Sequence, residues 1–497
     1  MMDIKIIEIQ PTELEFGGIG SFTDPKVGLK QAGPFDVRFG AAQLKEVRVG
    51  LVGPREMNIK ATFWLERCQG FIATTMKNIQ QYPDYPGFGA IFQATLNTSA
   101  VWTHEIAAEE LSEALALPDD SLRFEAVLGL YNKGLEKLST LESTRPNVIF
   151  CCLPENVVAT CHHVERKLTK EEKSELKKMA NANKPGHQFS LFDEPIEDTE
   201  EDLLYRDFRR ALKAKAILVN IPIQIGRDKI FLDLADNQDA ATRAWNSSVA
   251  LYYKAGGIPW RLRAHEIETC FVGITFHHLR TNIKQVVKSC IAQGFSSDGE
   301  GFALRGSDVE YNPQASRAVH LSSQQAFELG EKIIEEYAYR TGLPPQRIVL
   351  HKTSFFNEQE EEGFRDAFNS IPIVELINLQ PTSFCLVKHS KYPVDRGTLC
   401  VVNDATHYLF NTGFIRELST YPGAHIPRPI EIRSNEPIDV VKAAEDILAL
   451  ARMNWNTSSF TGGAPVTLSF SRQVGGIMAE LNVKNIKKLP TSFRFYI

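Results

Sequence analysis

Residues 270–276 read CFVGITF and residues 347–354 read RIVLHKTS, two apolar runs rich in β-branched residues that carry a threonine near their ends, Thr275 and Thr353. Runs of this kind read as strands buried on both faces, the sort found inside a parallel or mixed sheet. Working outward from them, three successive strands are expected over 269–278, 286–295 and 301–304. A helix over 322–341 and a strand over 347–350 follow. Strand, strand, strand, helix, strand gives a mixed sheet of hairpins plus one parallel crossover.

Upstream the pattern changes. The first 40 residues hold short extended pieces broken by Gly17-Gly18, Asp24-Pro25 and Gly33-Pro34, the punctuation of turns between strands. Helical spacing covers 103–117 and 123–138, and NVIFCCL (147–153) reads as an apolar strand ended by Pro154. Helical spacing over 203–216, a strand over 217–223 and a helix over 239–254 continue the alternation of an open parallel sheet, so the class is α/β. Gly256-Gly257 and Pro259 stop the last helix and mark a boundary. The expected units are a segment 1–100, a middle domain 101–261 and a C-terminal domain 262–497. The charged run 167–183 and the acidic run 193–202 read as a solvated insertion.

Composition narrows the function classes. The chain of 497 residues is 43% hydrophobic and 23% charged with a formal net charge of -6, which excludes a uniformly basic coat and confines any nucleic-acid site to a local groove. No run approaches the ~18 apolar residues of a membrane span, and the first ten residues lack a basic then apolar leader, so no membrane partner and a cytoplasmic location are expected. Eight cysteines are too sparse for a disulfide framework and read as reduced thiols. Cys151, Cys152, Cys161, His162 and His163 cluster in sequence, but adjacent pairs do not match zinc-ligand spacing, and a plain buried strand is the alternative.

The candidate for chemistry is a basic pocket in the middle domain. Arg209 and Lys213 stand i, i+4 on one helix face, Gln224 follows on the next strand, and Asn246 and Lys254 lie on a second helical stripe. A phosphate needs positive charge plus several directional donors, which two helix faces around an amide supply. Residues 294–306 are glycine-rich without a phosphate-loop signature. Cys400, Asp404 and His407 fall in a segment, 398–413, that reads as a strand hairpin.

The strand order from 269 to 350 is that of an RNase H-like core. Arg209-x₃-Lys213, Ile-Pro-Ile-Gln224 and Asn246-x₇-Lys254-Ala-Gly-Gly, in that order, resemble the guide 5′-phosphate pocket of the MID domain in Argonaute proteins. CFVGITF, RIVLHKTS and APVTLSF (464–470) resemble the PIWI domain, and residues 14–34 resemble the opening of short prokaryotic Argonautes. The resemblance spans essentially the whole chain and implies a Rossmann-like MID domain followed by an RNase H-like PIWI domain.

It also implies roles. Lys213, Gln224 and Lys254 match the pocket's lysine, glutamine and second lysine, and Arg209 stands where many members have a tyrosine that stacks on the first guide base. Ile497 resembles the C-terminal residue whose carboxylate helps hold Mg²⁺ against the guide phosphate. Cleaving members carry metal-binding residues at the positions of Thr275, Thr353 and Arg472. A neutral hydroxyl cannot replace an anionic ligand for a hard cation, so no slicing is expected. His277, His278 and His351 read as groove-lining polar groups, with an alternative metal site as the other reading. The implied partners are a small guide RNA, a complementary single-stranded DNA target, and an APAZ-domain effector fused to a Sir2, TIR or nuclease module. The implied role is prokaryotic antiviral and antiplasmid defence by NAD depletion. Two alternatives remain: a nuclease using Asp308, Glu310 or Asp404 to hold Mg²⁺, and an RNase H-like adaptor with no guide.

Overall fold

A computed structural model describes residues 4–497, apart from 143, 168–202, 235–236, 264–266, 279–285, 294–300, 311–317, 388–392, 404–405, 424, 461–462 and 482–488. At 166–167, 203–204, 277–278, 286–293, 305, 307–308, 310 and 471–472 only the backbone is described. The charged insertion expected between 167 and 202 therefore lies almost wholly outside the described residues.

Among the described residues the C-terminal sheet has nine strands. Its centre is Ala303–Glu310, Val286–Gln293, Thr269–His278, Arg347–Lys352 and Ile373–Pro381 in spatial order, the first three antiparallel and the last three mutually parallel. Helices Ser323–Thr341 and Glu358–Ala367 make the two crossovers. Each begins with a reciprocal cap, Ser322 with Gln325 and Asn357 with Glu360, which satisfies backbone donors that the helix itself cannot. Arg347–Lys352 is buried at every position because helices cover both faces of the sheet. The expected strands at 286–295 and 301–304 are found at Val286–Gln293 and Ala303–Glu310. Ile430–Arg433, His407–Leu409 and Thr398–Val401 extend the sheet, and Lys5–Glu8 closes its edge by pairing with Thr398–Val401.

A second, parallel sheet runs Thr95–Ile106, Glu46–Pro54, Val148–Cys152 and Ile223–Gly226, so strands on both sides of residue 100 share it. Three local expectations are corrected here. Residues 103–106 are strand, not helix: Thr103, His104 and Ile106 pair with Leu51, Val52 and Pro54, and the helix is only Ala108–Leu115. Residues 203–207 pair with His163–Lys167 as a hairpin, and the helix starts at Phe208. That helix continues to Leu218, and the strand follows only at Ile223, after a turn with Asn220 at φ 52°. Helices Asp120–Ser139 and Ala240–Lys254 stand within a few residues of expectation.

One hydrophobic core joins the two sheets, from Val49 and Phe150 through Trp245, Tyr252 and Trp260 to Val349, Ile377 and Trp455. Where the domains meet, Trp455 Nε1 donates to the Trp260 carbonyl at 3.1 Å, and Trp260 Nε1 donates to the Arg452 carbonyl at 3.2 Å. Both indoles are fully buried, so each pairs its one polar atom while excluding water from the seam. Trp455→Ala should lower unfolding stability by about 3–5 kcal/mol, read from urea unfolding at neutral pH; a loss under about 1 kcal/mol would mean the seam collapses without cost.

Candidate functional site

Two helices and a strand end converge in the middle domain. Asp207 caps the Phe208–Leu218 helix by accepting from Arg210 N at 3.0 Å, which sets the first turn and places Arg209 and Lys213 one turn apart on one face. The Ala240–Lys254 helix ends at Ala255 and Gly256, the latter at φ +106°, so Lys254 occupies the last turn, where the helix dipole favours a cation. Between them, Ile223–Gly226 presents Gln224.

Lys254 is 2% exposed; its Nζ donates to Gln224 Oε1 and to Asn456 Oδ1, the latter at 3.3 Å. Lys213, half-buried, donates from Nζ to the Tyr496 carbonyl at 3.1 Å. That carbonyl follows the 3₁₀ turn Phe493–Phe495, which packs against both helices. Ile497, buried, is the next residue. Lys213, Gln224 and Lys254 are thus brought together, with Ile497 beside them.

The electrostatics are those of a site short of negative charge. Burial, reinforced by Arg209, pushes Lys213 down to about 7, with Asp207 opposing. Burial and the charges of Lys213 and Arg209 hold Lys254 well below the ordinary lysine range. Arg227, which follows the Gln224 strand directly, is also lowered by burial and by Arg209, against Glu155 and Asp207. A bound phosphate would relieve Lys213, Lys254 and Arg227 together. Arg209 itself is exposed and, with Arg227 and His162, rims a shallow pocket floored by Leu153, Val157 and Phe208.

Asn246 lies two turns before Lys254, about 12 Å along the helix. Its Oδ1 accepts from Thr457 Oγ1 at 2.9 Å, Ser458 N at 2.9 Å and Ser458 Oγ at 3.0 Å, so it clasps the segment that delivers Asn456. Arg227 and Asn456 escaped the sequence reading. Arg227 could have been found from its place at a strand end beside Gln224, whereas Asn456 arrives from the other domain.

In the C-terminal sheet, Ile274 pairs in parallel with Lys352, so Thr275 and Thr353 sit one step beyond, Thr275 within Thr269–His278 and Thr353 just past the end of Arg347–Lys352. Thr275 is 9% exposed and Thr353 is exposed. Arg472 lies on the Val466–Met478 helix, which packs on Thr269–His278 and Val286–Gln293; its side chain is outside the described residues. The side chains of His277, His278, Asp308 and Glu310, and Asp404 as a whole, also lie outside them.

His351 does not line a groove. It is 0% exposed, its Nδ1 lies 2.9 Å from Thr467 Oγ1, and burial with the Arg347 charge pushes it to about 3, so it is a neutral core group. The sequence-adjacent cysteines and histidines do not form one site either. Cys151, Cys152 and Cys161 are buried, whereas His162 and His163 are exposed and group with Asp207, ligand atoms within 4.8 Å of one another. Cys400 pairs with Tyr408 and His407 with Val401 in the expected hairpin.

No protein-family model and no curated protein matches this chain. Solved structures do. The Argonaute of Clostridium butyricum, bound to a guide DNA and a 19-mer target DNA, matches 100% of this chain with a TM-score of 0.60 at 14% identity, over 55% of its own length. Aa-Ago, in a crystal structure with externally bound siRNA, matches 98% of this chain with a TM-score of 0.56 at 14% identity, over 56% of its own length. The fold is Argonaute-type: a mixed α/β chain with the architecture of a MID domain and an RNase H-like PIWI domain. The chain spans just over half the length of both structures.

The lysine pocket has a pH signature. Lys213 titrates near 10.5 when free and near 7 in the folded chain, so between these values the unfolded state binds more protons and stability rises with pH. Measured by urea unfolding, the stability of the wild type relative to Lys213→Met should climb from about pH 7 to about pH 10. A flat or falling difference would show that Lys213 is not held in a desolvated, cationic site.

Proposed function

We propose that this chain binds a small RNA guide by its 5′ phosphate, pairs it with complementary single-stranded DNA, and holds the duplex without cutting it. The observation that carries this reading is the convergence of Lys213 and Lys254 on Gln224 and the Tyr496 carbonyl, with Arg209 and Arg227 adding charge. Lysine amines already aligned by neutral acceptors are preorganised for an anion, whose charge would favour their protonated form, and burial makes each contact stronger than it would be in water. The exposed Arg209 guanidinium beside an apolar floor suits the first base and its phosphate together.

Magnesium fits this site only in part. Gln224 Oε1 and the Tyr496 carbonyl are oxygens of the right hardness, but both accept from ammonium groups. Mg²⁺ would therefore be held mainly by the Ile497 carboxylate together with the guide phosphate, neutralising charge that the lysines leave over.

Absence of slicing is supported by Thr275 and Thr353, neutral residues at adjacent positions where the family resemblance expects the anionic ligands that a two-metal cut needs. A protein that reads without cutting passes its signal on. The reading completed by the family resemblance is a cytoplasmic complex with an APAZ-domain effector, of Sir2 or TIR type, whose NAD consumption is switched on when invading DNA pairs with the guide. Thermodynamically, target must bind the active arrangement more tightly than the resting one.

Lys213→Ala combined with Lys254→Ala should weaken binding of 5′-phosphorylated guide by about 100-fold or more and flatten its salt dependence, while guide lacking the phosphate loses little. Unchanged affinity in this double variant rejects the pocket. Incubation of the guide-loaded chain with labelled target in Mg²⁺ and Mn²⁺ should leave the target intact; specific cleavage products would assign it a nuclease role instead.

A further inference from the structure

Two histidines and an aspartate meet at the base of a hairpin. His163 opens the strand His163–Lys167 and stands directly opposite Asp207, the last residue of Leu203–Asp207. Directly opposed residues share a face of the ladder with Cβ atoms about 4.5–5.5 Å apart, and here His163 Nδ1 lies 3.5 Å from Asp207 Oδ2. His162 follows the helix Glu155–Cys161 in helical conformation, and its carbonyl accepts from Phe208 N at 3.2 Å, which ties it to the residue after Asp207. The two imidazole rings are nearly perpendicular, at 80°, with centres 3.9 Å apart. One nitrogen from each ring and one Asp207 oxygen fall within 4.8 Å of one another.

The Asp207 carboxylate is fixed with one oxygen facing the imidazoles. Its Oδ1 accepts from Arg210 N as the helix cap, and the Asp207 amide donates to Glu480 Oε1 at 3.2 Å. The Asp207 side chain is 16% exposed and that of His163 66%, so a held anion at the back faces rings open to water. Imidazole nitrogens with one carboxylate are the donor set of borderline transition metals, whereas Mg²⁺ and Ca²⁺ take oxygens. Metal–ligand bonds of ~2.1 Å at tetrahedral or octahedral angles set neighbouring donors ~3.0–3.4 Å apart. The His163–Asp207 separation is already near that spacing, and any wider gap closes by rotation of exposed rings about their side-chain torsions.

The surrounding charge is mixed. Arg209 and Arg227 rim the shallow pocket that His162 also lines, whereas the field of Glu155 acts on Arg227, and Arg206 is committed to Glu125 and Glu480. Such surroundings offer little to a cation held by charge alone and favour one that bonds to imidazole nitrogen. We propose that His162, His163 and Asp207 form a binding site for a divalent transition-metal ion of the Zn²⁺ or Co²⁺ type, with water completing its coordination. Three protein ligands leave a position open, so the ion is exchangeable and not the closed centre of a structural zinc site. A bound ion would fasten at one point the end of the Glu155–Cys161 helix, the hairpin, and the start of the helix that carries Arg209 and Lys213.

The test is titration of the guide-free, untagged chain, stripped with a chelator, with Zn²⁺ by calorimetry and with Co²⁺ by visible absorption. One-to-one Zn²⁺ binding that survives excess Mg²⁺ is expected, with Co²⁺ bands that lack thiolate charge transfer. His163→Ala, on the exposed side, and Asp207→Asn, which keeps an oxygen for the helix cap, should each weaken Zn²⁺ by about tenfold or more, at least the loss seen when an outer-shell partner goes. No binding of either ion, loss of Zn²⁺ to excess Mg²⁺, thiolate bands in the Co²⁺ spectrum, or an affinity unchanged in either variant overturns the proposal. Because no guide is present, these outcomes are independent of the lysine pocket.

Discussion

A buried ammonium at a domain seam sets the terms for the rest of the molecule. Lys254 gives one hydrogen bond to Gln224 of the parallel sheet and another to Asn456 of the C-terminal domain, with almost no access to water. Such a group is tolerated only where its donors are met and its surroundings fixed, because an unpaired buried charge costs several kcal/mol (on the order of 3–5). The Trp260–Trp455 contact and the Asn246 clasp provide that fixity from the two sides. The seam is therefore both the mechanical joint of the fold and a wall of the lysine pocket.

The C-terminal sheet shows a different economy of polar groups. Arg347, Asp446 and Glu375 form a buried ion cluster at one end of the parallel strands, while Lys352 and Glu360 form another near the end that carries Thr275 and Thr353. Lys352 Nζ lies 2.6 Å from Glu360 Oε2, and Glu360 also closes the cap at Asn357. The Glu360 carboxylate is thus committed to a lysine and to backbone donors, an arrangement that fixes the end of the Arg347–Lys352 strand and leaves Glu360 little capacity to hold a cation.

How legible this was from sequence depended on where the information lay. The strands around CFVGITF and RIVLHKTS could be read because burial on both faces makes them continuously apolar. Thr95–Ile106 misled because it is an edge strand with few buried positions, so it lacks both the continuous and the alternating signature. Residues 203–207 misled because their partner is His163–Lys167, and local periodicity carries no record of pairing across an insertion. Lys213, Gln224 and Lys254 were legible through the order of motifs. Asn456 depends on which segments fold back onto which, and single-sequence spacing does not encode that, whereas Arg227 directly follows the Gln224 strand.

The strand Lys5–Glu8 carries a consequence for how the chain is made. Its partner, Thr398–Val401, lies about 400 residues away, so this strand can find its place only after a long stretch of chain has followed it. Until then the growing sheet has an unprotected rim and the leading segment has no home. A nascent chain of this design has to keep the Lys5–Glu8 strand from pairing with strangers, and completion of the sheet is gated by the synthesis of Thr398–Val401.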